Sequence, residues 1–395
     1  MKFFLLAGEA SGDKLGAALI AGLKSLHSDI EFRGVAGPLM QVQGMESIFP
    51  MDELSVMGIA EVLPRYADLR RRLNDTARDA DKWGPDALIT IDSPDFSLRL
   101  ARLVKSQSRV RTVHYVAPSV WAWRSGRAKK MSAYIDQVLA LLPFEPAYME
   151  TEGMRCDFVG HPVVSETVAS DTDVEAFRSE LNVGNSPIVL VLPGSRHAEV
   201  GRLAPIFGEA LRPIIARHPD ARVVVPAAAP VASRVIDAVK GWPGNPFVID
   251  GRDVDAAGEQ KRAAFRAANV AIAASGTVSL ELAANGTPMV VAYDMNWLSW
   301  QVMSRMAKVD TVTLVNLVTG RNAVPEFLGP DCKPQAIADA LGLLLTNDNA
   351  RDDQIKAMAE TMQKLGQGDE PPGLRAAQAV LDGLADQSDD DHQDH

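Results

Sequence analysis

Short apolar runs alternate with amphipathic, helix-length stretches, and the alternation starts over near the middle of the chain; nothing else in the sequence limits the fold as strongly. Phe3–Ala7, Ala87–Ile91, Thr112–Val116 and Gln137–Leu141 read as strands of a parallel sheet buried on both faces. Leu15–Ser25 and Leu98–Ser106 read as helices between them. The second series is Ile188–Leu192, Arg222–Val225, Pro246–Ile249, Val270–Ala273 and Pro288–Ala292, with helical stretches at Leu203–Ala216, Ala263–Ala268 and Ser279–Ala284. Strand–helix alternation specifies an open α/β sheet with right-handed crossovers. Two series predict two such sheets, and 395 residues exceed what one core usually fills.

The predicted division is a first domain at 1–165 and a second at 166–365, with the boundary in Val163–Pro187 and a solvated linker helix at Asp171–Leu181. Final helices are expected near Pro334–Leu345, Arg351–Gln363 and Leu374–Leu384. Residues 366–385 are expected to pack back on the first domain, and 386–395 (DQSDDDHQDH) to form a disordered acidic tail.

The formal charge of −11 argues by itself against nucleic acid or anionic membrane as a partner. Its distribution says otherwise for the first half. Residues 1–165 hold 20 basic and 20 acidic side chains, and between Asp95 and Asp136 nine Arg or Lys occur without a single acid. Residues 166–395 hold 20 and 31, five of the acids being Asp in the last ten residues. The net charge therefore conceals a basic island. Two cysteines, Cys156 and Cys332, exclude a disulfide framework and a cysteine-rich zinc site, which favours a reducing cytoplasm. The opening MKFFLLAGEASGD is too short in apolar residues for a signal sequence, and no apolar run is long enough to span a bilayer.

Five segments stand where strands end and helices begin, which is where ligands sit in open α/β sheets. Gly8–Gly16 (GEASGDKLG) supplies a tight turn and helix-start N–H groups, making Ser11 and Gly12 candidate substrate contacts. It matches neither GxGxxG nor GxxxxGK[ST], and it reads equally as a plain turn with Ser11 or Asp13 capping the helix. Ile91–Phe96 (IDSPDF) places Asp95 to cap the following helix and leaves Asp92 as a candidate general base. His114–Arg124 (HYVAPSVWAWR) combines rings and bases suited to a sugar or phosphate pocket, or to core packing; no nucleic-acid signature accompanies it. Leu192–Glu199 (LPGSRHAE) offers Arg196 to a pyrophosphate, and Ala274–Glu281 (ASGTVSLE) offers the Ser275, Gly276, Thr277 turn to phosphate and Glu281 to ribose hydroxyls. The second domain is therefore expected to bind a nucleotide. Asp171/Asp173 and Asp253/Asp255 have DxD spacing but read as solvated, so no metal is expected. Met57–Leu73 sets Val62, Leu63, Tyr66 and Leu69 at helical spacing beside Arg65 and Arg70–Arg72, a pattern that fits either an anionic lipid surface or ordinary core packing.

Taken together, the segments resemble the bacterial lipid A disaccharide synthase family. The likeness is carried by GEASGD (Gly8–Asp13), VAGP (Val35–Pro38), ELSVMGIAEVL (Glu53–Leu63), IDSPDF, HYVAPSVWAWR, LLPFE (Leu141–Glu145), FVGHP (Phe158–Pro162), LPGSR, ASGT and NLVTGR (Asn316–Arg321). The resemblance implies a GT-B glycosyltransferase of two Rossmann-like, doubly wound domains facing a cleft. It implies transfer of 2,3-diacylglucosamine from its UDP derivative to 2,3-diacylglucosamine 1-phosphate, giving the β(1→6) disaccharide 1-phosphate of lipid A and UDP. By the same likeness Asp92 matches the acceptor base, and Arg196, Glu281 and Asn316 match UDP-binding positions with Ser275–Thr277 and Arg321 beside them. An α-linked donor and a β-linked product imply inversion by direct displacement, with one base, no covalent intermediate, no cofactor and no required metal. The family acts peripherally at the cytoplasmic face of the inner membrane; a homodimer is left open. Departures from the family pattern are Asp294 after Tyr293, Asn322 after the TGR, a long loop at Gly251–Gln260, and Arg70 on the apolar face. The competing readings are another GT-B-like UDP-sugar enzyme (a UDP-N-acetylglucosamine 2-epimerase or an N-acetylglucosaminyltransferase) and a non-enzymatic membrane- or nucleotide-binding module.

Overall fold

Seven short parallel strands form the first sheet of the computed structural model: β1 Lys2–Ala7, β2 Glu31–Val35, β3 Glu46–Ser47, β4 Ala87–Ile91, β5 Arg111–Tyr115, β6 Gln137–Ala140 and β7 Arg155–Phe158. Their order is β3-β2-β1-β4-β5-β6-β7. Six more form the second: β8 Ile188–Leu192, β9 Arg222–Ala227, β10 Phe247–Asp250, β11 Val270–Ala274, β12 Met289–Tyr293 and β13 Glu326–Leu328, in the order β10-β9-β8-β11-β12-β13. The structure describes residues 1–54, 59–122, 126–296, 300–301, 305–306 and 309–393, and of 59–65, 254–255 and 387–393 the backbone alone. The side chains of Val62 and Leu63, and Met57, Trp123 and Arg124 of two sequence motifs, lie outside the described residues.

Burial explains the strand register. All five residues of β4, β5, β8 and β11 are buried, as strands covered by helices on both faces must be. The helix Ala10–Leu26 meets the first sheet through Leu15, Leu19, Ile20 and Leu23, one stripe at helical spacing. β2 escapes a reading by apolar runs because Arg33 and Gly34 interrupt it; Arg33 is held instead by a two-pronged pair with Asp79, at 2.7 and 2.8 Å.

The chain divides into two units, Met1–Ser165 with Leu365–His395, and Glu166–Lys364. The C-terminal helix Pro372–Gln393 lies on Ala10–Leu26 within the first unit, and two glycines permit the approach. A Cβ on Gly22 would stand 2.5 Å from the Gly373 carbonyl oxygen, and one on Gly373 would stand 2.6 Å from that of Ala18. Two expectations need correction. Residues from 386, read as a disordered tail, continue this helix to Gln393, since a packed helix extends residue by residue where no Gly or Pro intervenes. The helix Asp171–Glu180, read as a solvated linker, belongs to the second unit and buries Phe177, whose ring meets Phe247 edge-on at 6.3 Å.

Candidate active site

In both sheets the strand order reverses once: between β1 and β4 in the first unit, and between β8 and β11 in the second. Chains leaving adjacent strands there diverge, opening a crevice at the strands' carboxyl ends. Ser11, Gly12 and Asp92 fall at the first of these points and Arg196 and Ser275–Thr277 at the second, whereas Asn316 and Arg321 lie between β12 and β13.

In the first unit, Asp92 follows β4 with φ of 50° and Ser93 has φ of 43°; Pro94 then opens the helix Pro94–Gln107. Two consecutive left-handed non-glycine residues are a costly turn that persists only where its surroundings hold it. The holding groups are visible. The Asp92 N–H donates to the Tyr115 carbonyl at 2.9 Å, and Asp92 Oδ1 accepts the Ser93 N–H at 2.8 Å. From the β1 turn, the Ser11 hydroxyl donates to Asp92 Oδ2 at 3.4 Å. Gly8 is required here, because a Cβ on it would meet Ser93 Oγ at 2.6 Å. Ser11, Gly12 and Asp92 thus come together, with Ser11 exposed, Gly12 buried and Asp92 half-buried.

Neighbouring residues take other roles than the sequence suggested. Asp95 does not cap its helix: the helix starts one residue earlier, at Pro94, and places Asp95 in the first turn. Asp13 does not cap the helix it belongs to; its buried carboxylate accepts the N–H groups of Leu39 and Met40, both at 2.9 Å, and so caps Pro38–Val42. His114 and Tyr115, read as pocket residues, are core. His114 Nδ1 lies 2.9 Å from Thr90 Oγ1, and burial, with Arg127 nearby, pushes its pKa down to about 4. The Tyr115 hydroxyl is buried without a hydrogen-bond partner among the described residues, and burial pushes its pKa up.

In the second unit, Arg196 precedes the helix His197–Arg217, whose Glu199 reaches back to accept from Ser195 N at 3.0 Å, Arg196 N at 3.3 Å and Arg196 Nη1 at 3.2 Å. The Ser275–Gly276–Thr277 turn leaves the adjacent β11 and leads into Val278–Ala284, with Gly276 at φ of 148° and both Gly276 and Thr277 exposed. Glu281 is held by Lys261 at 2.6 Å. Apolar periodicity gave no sign of Lys261, whose helix Val254–Ala267 reaches Glu281 only through the fold. Asn316 is buried, its Nδ2 donating to the Val324 carbonyl and its Oδ1 accepting the Val324 N–H, each at 2.9 Å. It therefore closes the loop carrying Arg321, and Arg321 in turn pairs with Glu360. Asp294 lies 3.7 Å from Arg202. Of the DxD carboxylates, Asp171 pairs with Arg266 at 2.6 Å, Asp173 closes a capping box with Ser170, and Asp253 caps its helix; the Asp255 side chain lies outside the described residues.

Two doubly wound parallel units, each with a polar set at its switch point, define a GT-B fold, the class of sugar-nucleotide transferases and epimerases. Solved structures agree at the level of fold. The UDP-GlcNAc 2-epimerase from Neisseria meningitidis bound to UDP-GlcNAc superposes with a TM-score of 0.66 at 12% identity, over 98% of this chain and 100% of that one. A calicheamicin glycosyltransferase gives 0.55 at 15%, over 97% and 98%. Sequence relatives narrow the class. The family model described as lipid-A-disaccharide synthetase matches residues 3–379. The lipid-A-disaccharide synthase of Ruegeria pomeroyi is 58% identical over 386 residues, covering 97% of this chain and 96% of the relative. That of Rhodospirillum centenum is 46% identical over 381 residues, covering 96% and 93%. The chain belongs to the lipid-A-disaccharide synthase family and is a glycosyltransferase of lipid A biosynthesis.

Proposed function

We propose that the chain moves 2,3-diacylglucosamine from its UDP derivative onto the 6-hydroxyl of 2,3-diacylglucosamine 1-phosphate, with inversion, releasing UDP. The observation that carries this reading is Asp92, a carboxylate fixed at the first switch point by Ser93 N–H and the Ser11 hydroxyl. Such a group takes the proton of the attacking hydroxyl as the new glycosidic bond forms and the bond to UDP breaks. In the second unit, Arg196 and the Ser275–Thr277 turn are assigned to the diphosphate, whose growing charge they stabilise, and Glu281 to the ribose. Asn316 is assigned to hold Arg321 in its loop, because the described contacts of its amide go to Val324. The two substrates are acylated, and a lipid surface is the assigned place of work. No helix among the described residues is long and apolar enough to cross a membrane. The helix Ile59–Trp83 instead carries exposed Tyr66 and Arg70, with Leu69 half-buried and with exposed Arg71 and Arg78 in surface pairs with Asp68 at 2.8 Å and Asp75 at 2.7 Å, which supports docking on an anionic bilayer. Arg72 does not join them, being drawn to Glu53 at 2.7 Å and over the Phe49 ring.

Chromatography and proton NMR of the products, which distinguish sugar epimers of equal mass, separate this reading from a UDP-N-acetylglucosamine epimerase or transferase. Disaccharide is expected from the acylated pair and none from the unacylated sugars; turnover of unacylated UDP-N-acetylglucosamine alone would overturn the assignment.

A further inference from the structure

We propose that Glu145 is a positioning residue for acceptor deprotonation, acting through Trp121 to fix the loop after β5 and with it the backbone that holds Asp92. The inference rests on the transfer reaction and the Asp92 base proposed above.

Glu145 follows β6 and precedes the short helix Pro146–Glu150. Its side chain is buried, and among the described residues no cation pairs with it. Three N–H groups converge on the carboxylate: Trp121 Nε1 on Oε1 at 3.2 Å, and the Leu141 and Leu142 amides on Oε2 at 3.1 and 3.0 Å. Burial raises the carboxyl pKa to about 7, and the Cys156 thiol on β7 is pushed up first by its own burial and then by the field of Glu145. A buried acid is expensive to keep, and apolar packing would join two turns at lower cost. What the acid adds is direction. It ties the turn after β6 to one edge of the Trp121 indole, whose ring meets Phe144 edge-on at 5.2 Å.

The other end of the Trp121 loop is where strain sits. Val116 has φ of 85°, an outlying conformation for a β-branched residue. It comes directly after Tyr115, whose carbonyl receives the Asp92 N–H, and its own N–H donates to the Leu139 carbonyl at 3.0 Å. Three left-handed non-glycine residues (Asp92, Ser93 and Val116) thus cluster at the ends of adjacent strands. Strain of this kind persists only when both flanks are held, and it concentrates at working sites. The Tyr115–Asp92 bond holds one flank and Glu145–Trp121 the other.

Glu145→Gln tests this with little change of size. The amide has one acceptor oxygen for N–H groups that now meet two, so its NH2 must confront either the indole or the backbone amides. Misplacing a catalytic group by a fraction of an ångström lowers kcat by about 10- to 100-fold. That loss is expected for Glu145→Gln with the donor KM unchanged, together with a shift in tryptophan emission that is absent in a Trp121→Phe background. Trp121→Phe removes only the N–H and is expected to lower kcat in the same way, with the double variant no worse than the poorer single one. Wild-type kcat in folded Glu145→Gln would overturn the proposal, as would additive losses. If Glu145→Gln does not fold, wild-type kcat in Trp121→Phe overturns it instead. An inactive wild-type protein in the same assay would count against the transfer reaction, not against the positioning role.

Discussion

Asp13 lies inside the Gly8–Gly16 turn yet is assigned a purely structural task, and that assignment can be tested quantitatively. Its carboxylate is 3% exposed and takes the first free amides of Pro38–Val42, those of Leu39 and Met40. Asp13→Ala leaves both N–H groups without their acceptor, one of them fully buried. Hydrogen bonds to a charged group contribute about 1.5–3 kcal/mol each, and helix caps about 1 kcal/mol, so a loss of about 3 kcal/mol is expected. For a unit of this size each kcal/mol moves Tm by about 2–4 °C, so calorimetry should show the first unit melting about 6–12 °C lower. Asp13→Asn, which keeps one acceptor oxygen, should lie between. Because Asp13 contacts no substrate in this account, kcat measured well below the transition should match the wild-type value. A Tm within about 2 °C of wild type would refute the capping argument. Loss of kcat in the still-folded variant would move Asp13 into the reaction.

Other tests follow from the same contacts. His114 resists protonation in the folded state, so its contribution to stability is complete above about pH 6.5 and is lost as pH falls through about 4. Glu145 favours its proton, so its contribution is complete below about pH 4.5 and is lost as pH rises through about 7. Each amounts to about 3 kcal/mol, and the two oppose one another over a shared range. Urea unfolding between pH 5 and 6.5 should therefore be nearly flat for the wild type, fall with pH in His114→Gln and rise with pH in Glu145→Gln; equal slopes in all three would refute the assignment. Lys261→Ala should raise the donor KM about fivefold, the equivalent of about 1 kcal/mol, by freeing Glu281, while leaving the acceptor KM alone. Replacing Tyr66 by Ser and Arg70 and Arg71 by Glu should weaken binding to vesicles containing anionic lipid, more at low salt than at high; unchanged binding would dismiss that surface.

How much the sequence announces depends on whether a residue's role is local. β4, β8 and β11 are legible because a strand buried on both faces is almost wholly apolar, whereas β5 carries Arg111, Thr112 and His114 and shows only through Val113, Tyr115 and the following Val116. Asp92 is legible for the converse reason, an acid directly after such a strand. β2 is hidden by Arg33, whose charge is answered by Asp79, 46 residues away. Glu145 looks like an ordinary turn acid until the fold buries it under Trp121, and the Lys261–Glu281 pair spans 20 residues with no periodic signal. His114 misleads because its strand neighbours, not its own segment, decide that it is core. Asn316 reads as a ligand residue, while the contacts that engage its amide come from a loop eight residues on.

Removal of the acceptor proton by Asp92 during glucosamine transfer, as proposed above, can be met directly in one assay. Purified protein is given UDP-2,3-diacylglucosamine and 2,3-diacylglucosamine 1-phosphate in detergent micelles, and disaccharide 1-phosphate and UDP are counted. Equal amounts of both products are expected from the wild type, and a fall of about 10²- to 10⁴-fold in kcat for folded Asp92→Ala, as loss of a general base requires. Undiminished product formation by Asp92→Ala would contradict that role.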